Sequence, residues 1–435
     1  MVKSLIARFV DFRNDDELKG MLWAAAYGFF IMFSYYILRA VRDEIAAEDR
    51  GNLQIIWTVV FLVMVFVAVP AYSWVASRYS RGVFVPLANR FFIACLIVFW
   101  LSLVVLPVEA RPWIDRAFYV WTSVFALFVV TVFWGLVADC FDNDQGKRLF
   151  AFIAVGASVG GLVGSTVTVA LAERVPVFLL LLISCVPLEI ASWFARLLHQ
   201  NFDTGQVRAA GESDRPLSGD AISGMKAVFA SPYLTGIAAF IALMTFASTI
   251  LYFAQSDLVY GAMTDRGERT AFLARIDFVV NSLTILFEVW LTARIIKWFG
   301  VAVTLAIIPV AVAVGFLVLG LYPTLATLVV VQIIYRAGRY GMTKPAREIL
   351  FTVVSREEKY KSKAFIDAAV YRGGDLVSGW IYAGLAMFGL AIGTIAFMAV
   401  PAAAVWAMVG WKAAARSEDL VDKGAIASDE PVALG

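Results

Sequence analysis

The chain has 435 residues, 61% of them hydrophobic and only 16% charged, with a formal net charge of +2. A soluble domain carries nearer a quarter charged residues, so the composition excludes an ordinary globular enzyme. The balanced charge identifies no partner, and no nucleic acid is expected among the partners.

The charges fall almost entirely between about a dozen apolar stretches. A membrane span needs roughly 20 mostly apolar residues, and only helices or closed barrels satisfy their backbone in lipid. These runs are too long and uniform for barrel strands, so an all-α polytopic membrane protein is expected.

In chain order, a charged segment (Lys3 to Lys19) precedes the first span. No short apolar core with a small-residue cleavage site follows it, so the first span is expected to remain as a helix. Spans are expected at about 20–41, 53–74, 85–107, 117–139, 149–171 and 176–198, then at about 233–256, 270–293, 301–321, 325–346, 364–387 and 390–410. These define two six-helix bundles, 1–198 and 233–411. A linker, 199–232, holds Ile222, Met225, Val228 and Phe229 at the spacing of an interfacial helix, and a disordered tail covers 412–435.

Lysine and arginine concentrate on one side of this pattern, at Arg78/Arg81, Lys147/Arg148, 199–230, Arg294/Lys297 and Lys344 to Lys363. Both termini are therefore expected to be cytoplasmic, with a bacterial inner membrane as the location. The three cysteines, Cys95, Cys140 and Cys185, lack metal-ligand or CxxC spacing, and His199 is the sole histidine. No metal site or cofactor is expected, and no phosphate loop, dinucleotide fingerprint or HExxH is present. A non-enzyme and a monomer are expected.

The two halves echo each other. Ala151-Phe152-Ile153, Gly160-Gly161 and Ser165 recur with the same gaps as Ala364-Phe365-Ile366, Gly373-Gly374 and Ser378. A six-plus-six parallel repeat is the plan of the major facilitator fold, with its site near the midplane where the halves meet. Gly156, Gly160 and Gly164, four residues apart, suit close helix packing. Asp367, Arg372 and Asp375 stand in the second copy where the first has Ala154, Val159 and Leu162.

Ionisable groups within spans are costly and face the bundle interior. Span one carries Tyr35, Arg39 and Arg42 on one face; span seven carries Thr245, Ser248, Tyr252 and Gln255. Span eight carries Asp277, Asn281, Thr284 and Glu288, span ten Gln332, Arg336, Arg339 and Thr343, and span eleven Tyr371, Asp375 and Ser378 beside Arg372. Guanidinium groups favour carboxylate and phosphate, so an anionic small molecule is the expected substrate. Tyr35, Arg39, Arg42, Tyr252, Gln255, Arg336 and Arg339 are its expected contacts. Asp139, Asp277, Glu288, Asp367, Arg372 and Asp375 are expected to couple protons or form gates. Arg39 with Asp43, and Arg372 with Asp375, are one turn apart and could instead neutralise each other.

Tyr36-Ile37-Leu38-Arg39 followed by Arg42-Asp43, Phe133-Trp134-Gly135, Lys147-Arg148, Lys344-Pro345-Ala346-Arg347-Glu348, and Lys361-Ser362-Lys363-Ala364 with Ile366-Asp367 together resemble the ATP/ADP translocases of plastids and intracellular bacteria. The resemblance implies a secondary active transporter, an antiporter exchanging nucleotides, with some members coupled to protons. It places the family's span-one cation on Arg42 and its span-eight acid on Glu288. The family's span-four acid falls near Thr122, and its span-eleven lysine falls on Asp375, so ATP and ADP are expected to be poor ligands. A proton-coupled exporter of hydrophobic or cationic solutes, using Tyr252, Trp134 and the acids, is the alternative. A non-transporting scaffold or receptor is a further one.

Overall fold

The computed structural model describes residues 12–79, 81–141, 143–202, 221–354, 358, 362–363 and 365–422. Lys361 and Ala364 of the repeat motif, the side chain of Lys147 and most of the 199–220 linker lie outside them. The described residues form helices and no strand.

The apolar runs fold as helices because hydrogen bonds within the segment leave no backbone group for lipid to satisfy. They are α1 (Asp15–Glu48), α2 (53–78), α3 (Arg81–Val105), α4 (Arg111–Cys140), α5 (Asn143–Leu171) and α6 (Leu179–Phe202). A short α7 (Ala221–Ala230) leads into α8 (Pro232–Ala262). Then follow α9 (266–299), α10 (301–321), α11 (325–350), α12 (366–387) and α13 (Ile392–Asp422). Polar caps mark several starts. Asn14 accepts the Glu17 N–H at 2.7 Å, Asp265 accepts that of Glu268 at 2.9 Å, and Thr324 accepts that of Thr327 at 3.2 Å. Gly300 separates α9 from α10 with φ 77°, a left-handed conformation that glycine adopts without a Cβ penalty.

Nine stretches among the described residues are long and apolar enough to cross a membrane. One of them, Arg266–Leu321, contains both expected spans on either side of Gly300. The expected spans at 325–346 and 364–387 are helical too, but they carry the charges described below.

The chain divides into two compact units: Met1–Asp214 with Met263–Asn281, and Arg215–Ala262 with Ser282–Gly435. The first unit therefore takes in the start of α9, across the expected bundle boundary. Within the first unit α1 packs on α4, α5 and α6, and α3 packs on α4 and α6. Within the second, α8 packs on α11, α12 and α13, and α10 packs on α11 and α13. The two packing schemes correspond element for element, as an internal repeat requires.

The glycine stripe on α5 has the packing role its spacing suggests. A Cβ on Gly156 or Gly164 would lie 2.7 Å or 2.6 Å from the carbonyl oxygens of Ala25 and Phe33, and Gly160 is pressed against that of Phe29. Three residues at i, i+4 and i+8 of α1 thus meet three glycines of α5. In the second copy, a Cβ on Gly373 would meet nothing within 4 Å.

Two expectations change. The last helix runs to Asp422 instead of ending near 410, because Ala413, Ala414, Ser417 and Leu420 recur at helical spacing and are buried. Four single π turns interrupt the helices, at Met64–Ala68, Phe287–Leu291, Arg339–Thr343 and Ile366–Val370. Each inserts a residue into the helical register and re-aims the side chains after it.

Candidate functional site

In the first unit the helical register of α1 brings Arg39, Arg42 and Asp43 together. Arg42 donates to Asp43 at 2.7 Å, and Arg39 lies 3.6 Å from the same carboxylate. Asp277 of α9 approaches Arg39 at 3.5 Å. Both carboxylates are almost fully buried, and Arg39 and Arg42 are only slightly more open. Two guanidinium groups thus face two carboxylates. Aromatic rings complete the setting, with Arg39 over Tyr36 and Arg42 over Tyr119. Tyr35 is half-buried, its ring 5.4 Å from that of Tyr36. Thr122 on α4 is fully buried, with a hydroxyl that has no hydrogen-bond partner in the protein.

Asp277, Asn281 and Thr284 share a buried face, but Glu288 does not join them; it is exposed. Glu288 falls within the π turn at Phe287–Leu291, where the regular helical register ends. Its cationic neighbour is Lys344. This π turn packs on the one at Arg339–Thr343, where Thr292 donates to the Gly341 carbonyl at 2.6 Å.

The second unit treats its arginine differently. Arg339 is half-buried and donates to Ser248 Oγ at 3.4 Å, to Tyr335 Oη at 3.3 Å and to Tyr371 Oη. The rings of Tyr335, Tyr340 and Tyr371 lie within 5.9 Å of its guanidinium carbon. Tyr335 passes its own proton to the Met244 carbonyl at 3.1 Å, which fixes its oxygen as an acceptor for Arg339. No carboxylate among the described residues forms an ion pair with Arg339. Arg336 is buried one turn earlier on α11. Buried amide oxygens of Gln255 on α8 and Gln332 on α11 have no partner within the protein. Buried polar atoms left so are uncommon and are open to a water or a polar ligand.

Arg372 lies over the Tyr371 ring at 5.7 Å, and no ion pair within 4 Å joins it to Asp375, the alternative raised by their spacing. Asp375 is half-buried in the field of Arg372 and Arg339. Tyr252 is half-buried on α8. One turn further on, Asp257 accepts from Tyr382 at 2.8 Å.

Other predicted residues lie at helix ends. Asp139 is half-buried in the last turn of α4. Arg148 chelates Glu17 at 3.1 and 3.2 Å. Asp367 is exposed and 3.6 Å from Arg347, which also contacts Glu348 at 3.2 Å. Lys363 donates to Glu348 at 2.5 Å. Burial pushes the Glu348 carboxyl up, but Lys363 and Arg347 outweigh it and hold the group below the usual carboxylate range.

One cluster was missed from the sequence. Glu44 is wholly buried and accepts from Arg266 at 2.7 Å and from Arg269 at 2.8 Å. Arg266 also reaches Asp115 at 3.0 Å, and Arg269 reaches Glu48. The i, i+4 pair Glu44/Glu48 and the i, i+3 pair Arg266/Arg269 were the available signal. Among the described residues no group of His, Cys, Asp and Glu stands together as a metal site.

The fold is that of secondary transporters. The structure matches a D-xylose–proton symporter with a TM-score of 0.63 at 14% identity, covering 90% of this chain and 96% of that one. It matches the nucleoside transporter NupG with a TM-score of 0.60 at 12% identity, covering 93% and 100%. By sequence the chain is similar to ADP,ATP carrier protein 2 of Chlamydia pneumoniae, 22% identical over 82% of this chain and 80% of that protein. It is equally similar to ADP,ATP carrier protein 1 of Chlamydia muridarum, 22% identical over 85% and 82%. No protein-family profile matches the chain.

Proposed function

We propose that this chain is a twelve-span secondary transporter that moves an anionic metabolite by alternating access. The halves are six-plus-six bundles, both termini are cytoplasmic, and the membrane is a bacterial inner membrane. The similarity to ADP,ATP carriers supports transport, and the arginines on α1 and α11 support an anion. The observation that carries the reading is Arg339: a half-buried guanidinium held by hydroxyls, with its charge not cancelled by an ion-paired carboxylate. A membrane protein bears the cost of such a group when function needs it, and guanidinium recognises carboxylate and phosphate.

Arg336 and Arg339, with Gln255, Gln332 and Tyr252, are the proposed contacts in the second unit. Arg39, Arg42 and Tyr35 are those in the first, with Asp43 and Asp277 as their counter-charges. Asp375 stands where a polyphosphate would meet repulsion, so a less charged anion than ATP or ADP is the proposed substrate. A carboxylate facing a like charge in a poorly solvated site costs several kcal/mol.

Proteoliposomes loaded with a panel of nucleotides, sugar phosphates and organic anions test this by counterflow of the labelled compound. Accumulation of an anion, faster than that of ATP or ADP, is the expected result. Movement of cationic or neutral solutes alone would overturn it, and ATP/ADP exchange as the fastest reaction would overturn the specificity.

A further inference from the structure

A cavity, remote in chemistry from the buried arginines, lies in the second unit between the start of α8 and the C-terminal part of α13. It has a volume of about 350 Å³ and is lined by Pro232, Tyr233, Gly236, Val409, Lys412 and Arg416, with Ala413 behind them. Lys412 and Arg416 are one helical turn apart, both exposed, and no carboxylate among the described residues forms an ion pair with either. Glu418, the acid nearest in sequence, points elsewhere: its Oε1 lies 3.5 Å from the Cβ position of Gly300. Tyr233 spends its hydroxyl on the Leu350 carbonyl at 2.7 Å, so it presents its ring to the cavity.

The setting is that of a membrane surface. Met408 and Trp411, just before the two cations, are exposed, as is Phe229 on α7. Exposed tryptophan where an apolar run gives way to cations marks the headgroup level. Pro232 opens the 31-residue helix α8, whose N-terminal end adds positive potential. Two unpaired cations beside an apolar-walled cavity, flanked by lipid-facing aromatics, suit a molecule with a phosphodiester and acyl chains. A basic pocket between helices at the membrane surface is a headgroup site by the same electrostatics.

We propose that this cavity binds one anionic phospholipid, its phosphodiester held by Lys412 and Arg416 and its glycerol region seated over Gly236. The site is independent of what the chain transports. The Ala413, Ser417 and Leu420 stripe keeps α13 helical past the apolar run, and that extension is what holds Arg416 in place.

Native mass spectrometry of the full chain in detergent, with added phosphatidylglycerol or phosphatidylcholine, tests the assignment. The wild-type chain should keep one phosphatidylglycerol and not phosphatidylcholine. Lys412→Gln with Arg416→Gln should weaken retention roughly 30-fold, as expected for two cations at a membrane surface. Gly236→Leu keeps both charges, enters space where a Cβ meets nothing within 4 Å, and should abolish retention by filling the cavity. Leucine suits a helix better than glycine, so this variant should melt no lower than wild type without lipid. Arg294→Gln with Lys297→Gln removes the same charge elsewhere and should keep the lipid. Equal loss in that control would overturn the proposal, as would retention in Gly236→Leu. Displacement by inorganic phosphate would mean a free-anion site and would overturn it as well.

Discussion

The two units bury the same side chain and settle its charge by opposite means. In the first, Arg39 and Arg42 meet Asp43 and Asp277, carboxylates with almost no exposure. In the second, Arg339 is held by Ser248, Tyr335 and Tyr371, neutral hydroxyls that orient the cation without cancelling it. An ion pair in a poorly solvated interior is a structural commitment, because removing one partner strands the other. A phenol-held guanidinium can accept an anion without first giving one up. The difference therefore separates arginines that must give up a carboxylate to meet an anion from one that need not.

The glycines sharpen the same contrast. In the first unit three glycines of α5 lie against the α1 backbone, whereas Gly373 in the second copy faces open space beside Arg372 and Asp375. The room in the second copy is local to Gly373, since its neighbour Gly374 lies against the Thr245 side chain.

The largest expected effect comes from Asp277→Ala. It leaves Arg39 under-compensated and should lower stability by about 3–5 kcal/mol, read as a fall in melting temperature in detergent. An unchanged Tm would break the comparison. Next is Gly160→Ala, whose methyl group has no space against Phe29; about 1–3 kcal/mol of destabilisation is expected. Gly373→Ala should be tolerated in the same assay, and equal losses would contradict the difference between copies. Tyr371→Phe removes one acceptor from Arg339 and should cost about 1–3 kcal/mol, less than Asp277→Ala.

The smallest effect concerns Glu348, outside the buried faces. Its folded-state carboxyl is held below the usual range, with burial opposed and outweighed by Lys363 and Arg347. A depressed carboxyl stabilises the fold above its unfolded pKa and loses that contribution as pH falls through the folded value. Wild type should therefore melt slightly above Glu348→Gln at pH 7, with the gap closing below about pH 4. The side chain is more than a third exposed, so solvent screening keeps the gap small. A gap that widens on acidification would contradict the pairing.

Much of this was legible in the chain. The apolar runs located the helices, the Gly156/Gly160/Gly164 spacing located the α1–α5 contact, and the recurring Ala-Phe-Ile and Gly-Gly motifs announced two corresponding packing schemes. The polar faces named Arg39, Arg339 and Tyr371. Partners across helices were not legible, because helical spacing reports only what shares one face. Thus Asp277 was grouped with Glu288 on α9, whereas it pairs with Arg39 of α1. The π turn that takes in Glu288 has no local sequence mark, since any run of good helix formers can hold the extra residue. The Glu44–Arg266–Arg269 cluster was not legible because its members lie far apart in sequence. The end of the last helix was placed too early because Ala413, Ala414 and Ser417 look weakly apolar until their burial is seen.

The most direct test of the central claim sets Arg339→Gln beside Arg39→Gln, with melting temperature and binding of the transported anion measured on both. Arg339→Gln should weaken binding by about 2–5 kcal/mol, with a smaller fall in Tm than Arg39→Gln gives. Arg39→Gln should lower Tm, because Asp43 and Asp277 lose a buried counter-charge. If Arg339→Gln binds the anion as wild type does, or melts as low as Arg39→Gln, the second unit's arginine is structural and the account fails.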